Sequence, residues 1–313
     1  ILNIFDESDD SNDASLQNLL NFLDSHQYKE NKSELKHFLH LISTLSINHN
    51  RKPNFFKIIE TILTISSKFF KPLFSNEELF VIFQQSKPIL LFLIKSKILE
   101  IDEIIFKYLL LFNEDIENET FFYFYPELNS IIKSGAIEGI NEKKYPLKMI
   151  DNIENFEKNR QKFVNDSKIC SIIREDLLDD FIQYVHQNSI SLLSQIQRSI
   201  FEINSMLIEK EPTLIEYAAF YGSIRIIKYL AINKVEMGSS IWLYAVHSNN
   251  PEVISFLEEK NIEMDDKTFS ESIKCHHNHI SRYICENYFD NSTDLNEKNL
   301  LSIYSSSNYE FFS

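Results

Sequence analysis

The chain has 313 residues, 43% hydrophobic and 25% charged, enough for one long repeat array or two ordinary domains and too apolar for wholesale disorder. A formal net charge of −15 argues against a nucleic-acid binder, whose affinity comes from neutralising phosphates with a basic face, and against docking on anionic lipid. Four glycines leave little room for phosphate-cradling loops or tight hairpins, which need positive φ.

The first thirteen residues hold five acids, Asp6, Glu7, Asp9, Asp10 and Asp13, and read as a mobile, solvated lead-in. From 14 to 133 apolar residues recur at helical spacing. Leu16, Leu19, Leu20 and Leu23 form one stripe, and Leu35, Phe38, Leu39, Ile42 and Leu45 a second. Phe55, Ile58, Ile59, Ile62 and Ile65 form a third, so this region is expected to be α-helical. Ser75-Asn-Glu-Glu78 marks a capped helix start, and Pro53 and Pro88 suit first-turn positions. The apolar run from Pro88 to Ile94 falls far short of the roughly 20 residues that span a bilayer, so a buried helix is expected and no membrane insertion. The cluster Phe121-Phe-Tyr-Phe-Tyr125 is compatible with a strand, but helix or irregular structure is preferred. Residues 134–165 carry Gly135, Gly139 and Pro146 among many Asn, Glu and Lys and are expected to be a connector.

Beyond this connector the chain repeats itself. Thr213-Leu-Ile-Glu-Tyr-Ala-Ala219 aligns with Ser240-Ile-Trp-Leu-Tyr-Ala-Val246 at an offset of 27. The same offset relates Ile215, Trp242 and Phe269; Ala218, Ala245 and Ser272; Ile226, Val253 and Ile280; and Leu230, Leu257 and Ile284. Each segment reads as a first helix with a large and then a small residue, a turn, and a second helix with an i, i+3, i+4 stripe. Neither helix is long enough to stand alone, so stacking of neighbours must supply the core. Gly222, Asn249 and His276 fall on one turn position, where a left-handed C-cap is expected. Trp242, the single tryptophan, is expected in the core.

Residues 213–230 resemble the ankyrin consensus T-P-L-H-x-A-A-x-x-G-H-x-x-V-V-K-x-L, and Lys234-Val-Glu-Met237 stands where ankyrins have G-A-D-V. With Trp242-Leu-Tyr-Ala and Ser272-Ile-Lys-Cys-His-His-Asn278, the chain is similar to a divergent ankyrin-repeat family of uncharacterised protist proteins. The resemblance extends upstream through Ile169-Cys-Ser-Ile-Ile-Arg-Glu-Asp and Phe181-Ile-Gln-Tyr-Val185, and it is specific over 169–290. It implies an all-α helical-repeat solenoid: a degenerate repeat at 166–210, then 211–237, 238–264 and 265–291. Residues 292–313 follow as a tail, a cap or the start of a further repeat. The period of 27 departs from the roughly 33 of ordinary ankyrins. The missing residues fall where the hairpin fingers stand, so short or absent fingers are expected.

The resemblance also implies a non-catalytic scaffold that binds a protein or peptide through a concave groove lined by the last residues of each first helix. Those are Phe220, Tyr221, His247, Ser248, Lys274 and Cys275, with Phe220 and Tyr221 exposed together as an anchor. Two other readings stand beside it: a spacer with no groove ligand, and a metal or enzyme site at Cys275, His276, His277 and His279, whose donor types suit a transition metal. In the repeat register, however, His276 and His277 are turn residues. No G-x-S-x-G, P-loop or H-E-x-x-H motif occurs; Cys275 beside His276 is the one pair worth naming, and no cofactor or enzyme activity is implied. The acid pairs Glu258-Glu259 and Asp265-Asp266 read as a solvated face. Three cysteines, Cys170, Cys275 and Cys285, with no C-x-x-C, suit a reducing compartment, so an intracellular, cytoplasmic protein is expected. The chain opens on Ile1 and not on Met, compatible with a fragment, and no signal peptide is visible.

Overall fold

A computed structural model describes residues 9–24, 31–48, 54–111, 119–134, 152–265, 267–288, 297–306 and 308. The described residues are helical, with one isolated antiparallel bridge between Gln195 and Thr213. Among them no helix is long and apolar enough to cross a membrane. The chain divides into two compact halves, Ile1–Phe163 and Val164–Ser313.

The first half contains α1 (Asp9–Asp24), α2 (Lys32–Asn48), α3 (Phe55–Phe70), α4 (Asn76–Phe83), α5 (Lys87–Lys95), α6 (Glu103–Leu111), α7 (Glu119–Tyr123), α8 (Tyr125–Ser134) and α9 (Ile153–Arg160). Helix α3 buries Phe55, Ile59, Ile62, Leu63, Ser66, Phe69 and Phe70 along one stripe. The Ser75 hydroxyl accepts from the Glu78 backbone amide, and the Glu78 carboxylate accepts from the Ser75 amide, so α4 starts with a complete capping box. Pro88 opens α5, which buries Ile89, Leu90, Leu91 and Leu93. The aromatic run 121–125 spans the end of α7 and the start of α8, with Phe124 in the turn between them and Phe121, Tyr123, Phe124 and Tyr125 all buried.

Two boundaries differ from expectation. Helix begins at Asp9 and not near Ala14, so Asp9, Asp10 and Asp13 of the expected lead-in fall within it. Residues 1–8 lie outside the described residues. The expected connector, 134–165, contains α9, whose Arg160 is fully buried. Its guanidinium donates to both carboxylate oxygens of Glu127 at 2.7 and 2.9 Å, to Glu157 at 2.8 Å and to the Tyr123 carbonyl at 2.9 Å. The polar composition that suggested a connector includes charges that neutralise each other inside the fold. Residues 135–151 lie outside the described residues.

The second half begins with α10 (Lys168–Arg174) and α11 (Leu178–Gln187), followed by a loop with the short α12 (Ser205–Lys210). Then come three helix pairs: α13 (Leu214–Tyr221) and α14 (Ile224–Ile232), α15 (Ile241–Ser248) and α16 (Pro251–Glu259), α17 (Thr268–Lys274) and α18 (Asn278–Tyr288). Helix α19 (Glu297–Ser306) completes the order. The first helices pack in sequence, α10 on α13, α13 on α15, α15 on α17 and α17 on α19, and each second helix packs on its own first helix. Ala218, Ala245 and Ser272, the small residues of the 27-residue pattern, are completely buried where these helices approach. Trp242 is fully buried, and its indole donates to the Ile262 carbonyl at 3.0 Å.

The turn position behaves as read from sequence. Gly222, Asn249 and His276 have φ of 77°, 54° and 58°. Asp176 holds the matching place after α10, with φ 50°. The residue after each turn reaches back to the preceding first helix. Ser223 donates to the Ile173 carbonyl, His277 Nδ1 lies 2.7 Å from the Val246 carbonyl, and Asn308 donates to the Ile273 carbonyl at 2.7 Å. Asn250 makes a variant of this contact, to the Gly222 carbonyl at 3.1 Å. Asn308 thus gives α19 the same seat on α17 that α13 has on α10.

Candidate functional site

The residues expected to line a groove lie on the last turns of α13, α15 and α17, and the structure sorts them into two kinds. Phe220 is only 1% exposed. Its ring stacks on the His247 imidazole with centroids 4.7 Å apart and planes at 28°. The expectation that Phe220 and Tyr221 stand exposed together therefore fails for Phe220. The small residues bring α15 so close to α13 that Phe220 becomes a wedge between them. Tyr221 is half-buried, 4.8 Å from the Tyr217 ring, with the Arg174 guanidinium over its face at 5.8 Å. Arg174 also donates to the Tyr217 hydroxyl at 2.9 Å. Ser248 and Lys274 are likewise half-buried. The Ser248 hydroxyl donates to the Ala245 carbonyl at 2.7 Å, and Lys274 lies 3.2 Å from Glu271. His247 and Cys275 are buried, at 7% and 3% exposure.

The alternative metal set, Cys275, His276, His277 and His279, does not converge. His276 Nε2 is 2.9 Å from the Ser306 carbonyl, His277 faces the Val246 carbonyl, and His279 is exposed. The turn aims each imidazole at a different backbone carbonyl, so adjacent positions in sequence diverge in space. Cys275 does not pair with His276 either.

Cys275 instead meets His247, with Sγ 3.3 Å from Nδ1. The other ring nitrogen, Nε2, is 3.0 Å from Glu271 Oε1. Glu271 was not among the sequence-derived candidates. It sits one turn before Cys275 on α17, and this i, i+4 spacing was the available signal. Burial works to raise the Glu271 carboxyl, but the hydrogen bond and charge of His247, with Lys274 beside it, hold it down at about 2. Among the described residues, His247, Glu271 and Cys275 are a group whose donor atoms all lie within 4.8 Å. The thiol and the carboxylate, however, address opposite nitrogens of one imidazole. An ion touching Sγ and Nδ1 would have Glu271 on the far side of the ring, so the arrangement suits a hydrogen-bonded chain better than chelation.

No family model, no curated protein and no solved structure matches the chain.

Proposed function

We propose that residues 166–291 form an ankyrin-like repeat array and that the protein is a non-catalytic, intracellular scaffold binding a protein or peptide partner. The observation that carries this reading is the recurring contact from the turn to the preceding first helix, made by Ser223, His277 and Asn308. One backbone demand met at successive interfaces is the behaviour of a stacked array, in which each segment contacts its neighbours. Such arrays work by presenting extended faces, and the half-buried Tyr221, Ser248 and Lys274 supply one partly accessible side chain per segment, Tyr221 and Ser248 at one register and Lys274 one residue before it. Tyr221, ordered by Arg174 and Tyr217, is the residue best suited to anchor a partner, because a held aromatic ring loses little entropy on binding. The absence of fingers in the connections 233–240 and 260–265, where no strand occurs, restricts contact to the helix ends.

The test is capture from lysate with wild type against Tyr221→Ala/Lys274→Glu, with circular dichroism to show that both fold. A partner retained by wild type and lost by the folded double variant supports the reading and identifies the partner. Equal retention, or none above background, overturns groove binding.

A further inference from the structure

The contacts around Cys275 place a base against its thiol. Glu271 is ionised across the ordinary pH range, so it accepts a proton from His247 Nε2. A neutral imidazole protonated on Nε2 has its lone pair on Nδ1, and that lone pair faces Cys275 Sγ at 3.3 Å. The thiol therefore donates to Nδ1, or has already given up its proton to form a thiolate beside an imidazolium. In both states the cysteine proton is shared with a base. Phe220, stacked on the ring, holds the imidazole plane in place, and Lys274 on the outer oxygen of Glu271 fixes the carboxylate.

We propose that Cys275 is an activated thiol that small hydroperoxides oxidise to a sulfenic acid, with His247 as the base and Glu271 as the residue that positions it. Nδ1 takes the thiol proton, and the thiolate sulfur attacks the terminal oxygen of the hydroperoxide. An S–O bond forms as the O–O bond breaks. The alkoxide or hydroxide that leaves collects the proton from His247, so the sulfur loses two electrons and the peroxide is reduced to an alcohol or water.

Access limits the reagent. Cys275 and His247 are almost fully buried, whereas the Glu271 and Lys274 side chains are 21% and 42% exposed. A sulfur this buried admits a molecule of a few atoms and not a polymer.

The three cysteines supply an internal comparison. Cys285 is partly exposed, Cys275 is 3% exposed and Cys170 is fully buried. Exposure alone ranks Cys285 first. Activation ranks Cys275 first, because the thiolate is the reactive form and an ordinary thiol is only a few per cent ionised at neutral pH. The experiment exposes the folded full chain to hydrogen peroxide with dimedone present and follows each cysteine by mass spectrometry.

At neutral pH Cys275 is expected to label about 5- to 10-fold faster than Cys285, a gain moderated by the lower intrinsic nucleophilicity of a stabilised thiolate. His247→Asn and Glu271→Gln should bring Cys275 down to or below the Cys285 rate. Cys170 is the sentinel for folding: a variant that leaves it unlabelled is folded, and one that exposes it is set aside in favour of the other variant and the wild-type ranking. Faster labelling of Cys285 than Cys275 in the wild type overturns the proposal. So does a Cys275 rate that neither variant changes while Cys170 stays protected.

Discussion

The two halves of the chain handle buried polarity in different ways. The first half concentrates it: one fully buried arginine binds Glu127, Glu157 and the Tyr123 carbonyl at a single point. The second half adds a repeated device: one hydrogen bond from the turn to a carbonyl recurs at three interfaces, beside local clusters at Glu202 and at His247. A concentrated device fails all at once when one partner is removed, whereas a repeated one loses a single interface. The contrast predicts where substitutions hurt most.

Arg160→Ala is the severest break. It strands Glu127, whose side chain is only 14% exposed, and should destabilise the first half by about 3–5 kcal/mol; chemical denaturation followed by circular dichroism measures it. A polar deletion in the second half should cost less, and a comparable loss there requires an apolar wedge. Phe220→Ala is expected to cost about 3–5 kcal/mol. Tyr221→Ala next to it should cost about 1 kcal/mol or less. Trp242 fluorescence, which reports the second half, is the readout. Equal costs for these two neighbours would erase the distinction between wedge and surface.

The pH response comes next in size. Glu271 has its pKa lowered from 4.5 to about 2, so its contribution is fully present above pH 4.5 and lost as pH falls through about 2. That contribution is up to roughly 3 kcal/mol. Glu271→Gln should flatten the loss of stability in that window, and an unchanged acid limb in the variant would show that the carboxylate does not stabilise the interface. A comparably small effect is expected at a turn. Gly222→Ala places a Cβ at φ 77° and 3.3 Å from atoms of Ser248 and Asn250; about 1 kcal/mol is expected by thermal unfolding.

The helical character, the register of the 27-residue segments and the left-handed turns were legible because local periodicity and cap chemistry decide them. Gly222, Asn249 and His276 announced one backbone conformation through three different side chains. The burial of Phe220 was not legible. It depends on how closely α15 approaches α13, a property of the pair of helices that neither sequence stretch carries alone. The contact between His247 and Cys275 was missed for a related reason. The two residues are separated by 28 positions and the period is 27, so the alignment pairs His247 with Lys274 and Ser248 with Cys275. Contacts between stacked segments run diagonally to that alignment. Arg160 was hidden by its polar surroundings in sequence, since composition cannot reveal that opposite charges find each other inside a core.

The turns have a consequence for how this protein could be made sturdier. Among the described residues, ten that are not glycine hold positive φ: Asn54, Lys97, Phe163, Asp176, Ser189, Glu211, Lys234, Asn249, Asn261 and His276. Each L-residue in that conformation stores roughly 1 kcal/mol or more of steric tension. A chain so poor in glycine has built its corners from residues that would rather bend the other way. Glycine at exposed corners such as Lys234 and Asn261 would release that tension without touching a core contact, and corners this far apart should add independently. The untapped margin of this fold lies in its corners and not in its packing.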